Sequence, residues 1–131
     1  MQLIINALEG TFSDGFKGLT IKTDEALLSF LVSDIDSCEI LIKPEDGGLS
    51  PDEVKNAEIV SIFRVLPSYK KFNKLCGKIE NFPLKSAEFI TICTTEGNLE
   101  LAFVNARPHD RSICKFPEFK NGKVEEREIA L

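Results

Sequence analysis

The chain contains no tryptophan, one tyrosine, one methionine and one histidine. The side chains that most often build sugar platforms, aromatic anchors and imidazole-centred chemistry are therefore nearly missing. Its four cysteines, Cys38, Cys76, Cys93 and Cys114, include no C-x-x-C pair, which removes the local knuckle that grips zinc or runs thiol exchange. No apolar run approaches the roughly 18 residues of a membrane-spanning helix. The phosphate-loop, dinucleotide, zincin and hydrolase-elbow motifs are all absent from the sequence. The opening residues, Met1 to Asn6, lack the basic stretch and long apolar run of a secretory signal. The expectation from these absences is a cytoplasmic protein with free thiols, no membrane association, no metal and no cofactor.

What is present is ordinary for a folded soluble chain. Of 131 residues, 43% are hydrophobic and 28% charged, enough apolar content for one domain over 1–131 with its own core. Ten phenylalanines, which carry no polar handle, are expected mainly in that core. The net charge is −5, which disfavours a phosphate-tracking surface and hence nucleic acid as a partner. The charge is also unevenly spread: residues 1–65 hold five basic and twelve acidic groups, residues 66–131 eleven and nine. A polarised surface follows if the two halves do not interleave.

Short apolar and alternating runs between turn residues argue for strands. Leu3 to Leu8 and Phe16 to Ile21 flank Ser13-Asp14-Gly15 as an opening hairpin. Cys38 to Ile42 alternates and ends at Pro44 and an acidic Gly-rich loop, and Ile59 to Leu66 is a β-branched and aromatic run stopped by Pro67. Glu88 to Thr94 and Asn98 to Val104 flank Thr95-Glu96-Gly97 as a second hairpin, and Asn121-Gly122 turns a third. Its last arm, Val124 to Leu131, is charged as a protected edge strand would be. Three helices are expected between these strands. Ser50-Pro51-Asp52-Glu53 has capping-box residues for one reaching Ala57 or Glu58; Thr23 caps a second through Leu31; Ser68 caps a third from Tyr69 to Cys76, stopped by Gly77. The expected fold is a single α+β domain of about eight mostly antiparallel strands with two or three short helices, a sandwich or partly open barrel being the alternative.

Two stretches can carry chemistry. Arg107, His109, Asp110 and Arg111 follow a strand, so two guanidinium forks and an imidazole oriented by Asp110 can hold an anion or act as a base; a plain solvated loop is the competing reading. Cys114 is the thiol nearest His109 in sequence and so the candidate for a Cys–His pair. Lys70, Lys71, Lys74 and Lys78 gather on one side of the third helix, opposite Tyr69, Phe72, Leu75 and Cys76, as a basic interaction face or a solvated one. Asp34, Asp36 and Glu39 lack the remaining ligands of a calcium loop. The acidic charge and missing catalytic signatures favour a non-enzymatic module that binds a protein partner, of the immunity, inhibitor or accessory type. The alternative is a small-molecule anion or nucleotide binder, with an enzyme as one form of it, using the 107–111 loop; a homodimer joining basic to acidic surface is a third reading.

Overall fold

The computed structural model describes residues 2–42, 48–66, 86–107 and 111–131. Nine strands form one antiparallel sheet: β1 (Ile5–Ser13), β2 (Phe16–Thr23), β3 (Leu27–Ser33), β4 (Cys38–Ile42), β5 (Ile59–Val65), β6 (Ser86–Thr94), β7 (Gly97–Asn105), β8 (Ile113–Lys120) and β9 (Lys123–Ala130). Their spatial order is β1-β2-β3-β8-β5-β6-β7-β4, with β9 on the other edge of β8. Strands take 70% of the described residues and helical turns 4%, so the α+β expectation is wrong: the fold is a nearly all-antiparallel sheet curled into a half-barrel.

Two of the expected helices are replaced for visible reasons. Thr23 does cap, but it caps a tight turn: its hydroxyl donates to the Ala26 carbonyl at 2.8 Å and accepts from the Ala26 N–H at 3.0 Å. The chain then leaves as β3, in which Leu28, Phe30 and Val32 are buried with period two. The Ser50 segment keeps its start signal, the Glu53 carboxylate accepting from both the Ser50 N–H and hydroxyl. Yet it makes only one 3₁₀ turn, Pro51–Val54: Lys55 leaves helical geometry with ψ of 135°, and Asn56 follows with a left-handed φ of 70°. The third expected helix, with Tyr69, Lys70, Lys71, Phe72, Lys74 and Lys78, lies outside the described residues.

The turns govern the local architecture. Asp14 and Gly15 have φ of 47° and 84°, and Asn121 and Gly122 have 52° and 76°, so both hairpins close through two residues with positive φ. β6 and β7 pair without irregularity from Ser86–Asn105 to Thr94–Gly97. The sheet bends at β8. One edge of β8 carries β9 along its whole length; the other pairs with β3 at Cys114 and Lys115 and with β5 at Phe119. Pro117 sits between those two partners, where a missing N–H breaks no ladder bond. Farther back, Ile4 bridges to Glu58, and the Ile5 N–H reaches the Ala57 carbonyl at 2.9 Å. The path β1-β2-β3-β8-β5 thus returns to the first residues of β1, while the rest of β1 departs from β5.

The inside of the curl holds the main core, including Ile5, Ile21, Phe30, Ile62, Ile92, Leu101, Phe103 and Phe116, all 0 or 1% exposed. The Phe103 and Phe116 rings meet at 6.3 Å and 41°. Each such side chain contributes about 1.5–3 kcal/mol through burial. The opposite face of the β4, β5, β6 and β7 region carries a smaller cluster of Phe89, Ala102 and Val104, with Leu41, Val65 and Ala87 packed against it. One glycine is required by packing: a Cβ on Gly18 would overlap the Phe30 carbonyl oxygen and lie 3.0 Å from the end of Ile40. Gly18 therefore lets β4 lie close over β2.

Candidate functional site

Asn105, the last residue of β7, organises the base of the 107–111 loop. Fully buried, its amide nitrogen donates to the Ser112 hydroxyl at 2.9 Å and to the Leu131 carbonyl at 3.0 Å, while its oxygen accepts from the Arg107 N–H at 2.9 Å. Ser112 also donates to the Leu131 carbonyl at 3.1 Å. These polar groups satisfy one another, so they stabilise the loop base and do not present hydrogen-bonding groups to a ligand. A cleft of about 520 Å³ lies beside them, lined by Phe16, Ser33, Arg111, Ser112, Ile113, Ala130 and Leu131. The Lys115 ammonium stands 4.2 Å from the centre of the Phe16 ring. Arg111 thus joins a cleft, Arg107 is not among its lining residues, and His109 and Asp110 lie outside the described residues.

Cys114 is unsuited to nucleophilic chemistry. It is fully buried, and its thiol is pushed up to about 12, first by burial and second by the charge of Glu88. At neutral pH it holds its proton, whereas the thiolate is the nucleophile. Cys38 and Cys93 are likewise free thiols. Among the described residues no three histidine, cysteine or acidic side chains gather as a metal site.

A further concavity lies elsewhere, beside β1. Because the β1–β2 turn has two residues, Ser13 and Phe16 form a hydrogen-bonded pair, and bonded pairs recur at Thr11–Gly18, Glu9–Thr20 and Ala7–Lys22. The N–H and C=O groups of Leu8, Gly10 and Phe12 then point away from β2. No described strand lies beyond that edge. The same three residues line a cleft of about 570 Å³, together with Leu19 and Val32 from β2 and β3, Glu39, Ile40 and Ile42 from β4, and Pro51. Phe12 is 79% exposed and Ile42 40%, so apolar surface stands open at the rim.

Charge around this cleft is sparse. Glu9 pairs with Lys22 at 3.0 Å, and the Lys17 ammonium donates to the Ile35 carbonyl at 2.9 Å. Glu39 is exposed and has no side-chain partner among the described residues. A smaller cleft of about 280 Å³, lined by Asn6, Ala7, Leu8, Pro51, Asp52 and Lys55, continues along the same edge. Leu8 and Pro51 belong to both clefts, so they form one groove.

Sequence reasoning missed this groove because Phe12 has the residue type of a core position and the free edge depends on strands far apart in the chain. Asp14-Gly15 was the one local signal, since a two-residue turn fixes which backbone groups face outward. Comparison of the chain with protein-family models, with curated proteins and with solved structures finds no match to any of them. Among the described residues, no helix is long and apolar enough to cross a membrane.

Proposed function

We propose that this chain is a non-enzymatic, cytoplasmic binding module for a protein partner, and that it engages the partner through the groove beside β1. The observation that carries the reading is the cleft of about 570 Å³ with Phe12 and Ile42 exposed at its rim. Large apolar side chains left in water beside a concavity are the usual anchors of a protein contact. The burial of Cys114 speaks against the one Cys–His nucleophile that the sequence offers. The competing anion site at Arg107, His109, Asp110 and Arg111 has one support, the place of Arg111 on the second cleft.

Binders selected from a displayed peptide library against the purified chain separate the two. Expected are ligands that lose binding in Phe12→Asp and in Ile42→Asp and retain it in Arg111→Ala. Both acidic substitutions are at exposed sites, so thermal unfolding should show intact folds. If instead nucleotides or small anions stabilise the chain by about 2.7 kcal/mol at 100 times their dissociation constant, and Arg111→Ala removes the effect, the protein-binding reading is wrong.

A further inference from the structure

We infer that the partner is engaged by strand addition: an extended peptide segment pairs with the outer edge of β1 and places alternate apolar side chains in the groove. This inference rests on the binding reading above and specifies its occupant. Among the described residues, three strand edges are candidates for such pairing, and they differ. β9 carries Lys123, Glu125, Glu126, Arg127 and Glu128, a charge density that resists association. β4 has five residues, few for a stable ladder. β1 has nine, with Glu9 as its one charged residue and Gly10 and Phe12 exposed on it. It has the length and apolar character that protected edges avoid.

The backbone and the groove coincide. The outward N–H and C=O groups of Leu8, Gly10 and Phe12 give three donor and acceptor sets two residues apart, the spacing an added antiparallel or parallel strand requires. From Asn6 to Phe12 the groove spans about 20 Å, or roughly seven residues of a partner. Side chains at alternate partner positions would meet Leu8, Phe12, Leu19, Ile40 and Ile42. Glu39, exposed and without a side-chain partner among the described residues, selects a lysine or arginine at that end. A second copy fits less well, because the Lys17 and Lys22 it would bring are already engaged by the Ile35 carbonyl and Glu9, which leaves Lys55 to answer the exposed Glu39, whereas a peptide supplies its own basic residue.

The test uses the whole chain and random displayed peptides about twelve residues long, enough to overreach the edge. Recovered peptides are expected to alternate apolar residues, to contain a basic residue, and to lose binding in Phe12→Asp. Single N-methylation along a synthetic copy should weaken binding about tenfold at every second residue and little between, since alternate N–H groups face β1. Gly10→Pro, which deletes an N–H that the β2 ladder does not use, should weaken the same peptides while amide exchange in β2 and β3 reports an intact hairpin. Peptides that bind, fail in Phe12→Asp and tolerate N-methylation everywhere would overturn strand addition and leave the binding reading standing. Recovery of no peptide sensitive to Phe12→Asp would overturn both. Self-association in sedimentation that Gly10→Pro abolishes would make a second copy the occupant and overturn the heterologous peptide.

Discussion

The same substitution at two glycines of one hairpin should change stability in opposite directions. Gly10 and Gly18 lie on β1 and β2 of a regular ladder. Neither has the positive φ that would disfavour alanine, so the chain-entropy gain of a Gly→Ala change, about 0.4–1 kcal/mol, is available at both. At Gly10 a Cβ meets nothing within 4 Å, and Gly10→Ala should be neutral or stabilising by that amount. At Gly18 the Cβ overlaps the Phe30 carbonyl, a backbone atom held in the β2–β3 ladder, and presses on Ile40 at 3.0 Å. Overpacking costs about 1–3 kcal/mol, and against a backbone atom that cannot swing aside the upper part of that range applies, about 2–3 kcal/mol. The net expectation for Gly18→Ala is a loss of roughly 1–2.5 kcal/mol. Urea denaturation followed by far-UV circular dichroism reads it: with a slope of about 2 kcal/mol/M, the midpoint should fall by roughly 0.5–1.2 M while the slope is unchanged. A Gly18→Ala variant as stable as Gly10→Ala would refute the close seating of β4 over β2, and with it the shape of the groove.

Asn105→Ala removes two donated and one accepted hydrogen bond at a buried site joining β7, the loop base and Leu131, and should cost roughly 2–4 kcal/mol in the same assay. A loss below about 1 kcal/mol would mean the network forms elsewhere or not at all. Cys114 should resist disulfide reagents at pH 8 in the native chain and react once the chain is unfolded, as its buried thiol is pushed up to about 12. The folded value lies above the ordinary 9.0, so the unfolded chain loses this proton first; stability is whole below pH 9.0 and falls as pH rises toward about 12. Denaturation midpoints measured across that interval should fall less steeply in Cys114→Ala, and equal slopes would contradict the assignment.

The turns and the strands next to them were legible in the sequence because their signals are local. Asp14-Gly15, Asn121-Gly122 and Thr95-Glu96-Gly97 each close a hairpin where the residue types demand it, and the charges of Val124 to Leu131 do mark an edge. Thr23 shows where local signals stop: the residue that caps a helix can equally bond across a four-residue turn, and the period-two burial of Leu28, Phe30 and Val32 decides for a strand. Ser50 and Glu53 do make their capping hydrogen bonds, but one 3₁₀ turn follows in place of the expected helix, because the backbone at Lys55 has already left helical geometry. No local feature announces that β8 divides its edge between β3 and β5, although Pro117 is consistent with it afterwards. The candidate site suffered most. Arg107 and Arg111 share one short loop in the sequence, yet one cleft takes Arg111 while Asn105 and Ser112, ordinary polar residues in the sequence, hold the loop base.

Site-resolved amide hydrogen exchange on the free protein tests the central claim most directly, because the claim is that the outer edge of β1 is unpaired. In the hairpin register the N–H groups of Ala7, Glu9, Thr11 and Ser13 are bonded to β2, whereas those of Leu8, Gly10 and Phe12 face outward. Slow exchange at the first four and nearly unprotected exchange at the last three is the predicted pattern, alternating residue by residue along one strand. Protection of Leu8, Gly10 and Phe12 equal to that of their neighbours would show the edge already occupied in the free chain and would contradict the account.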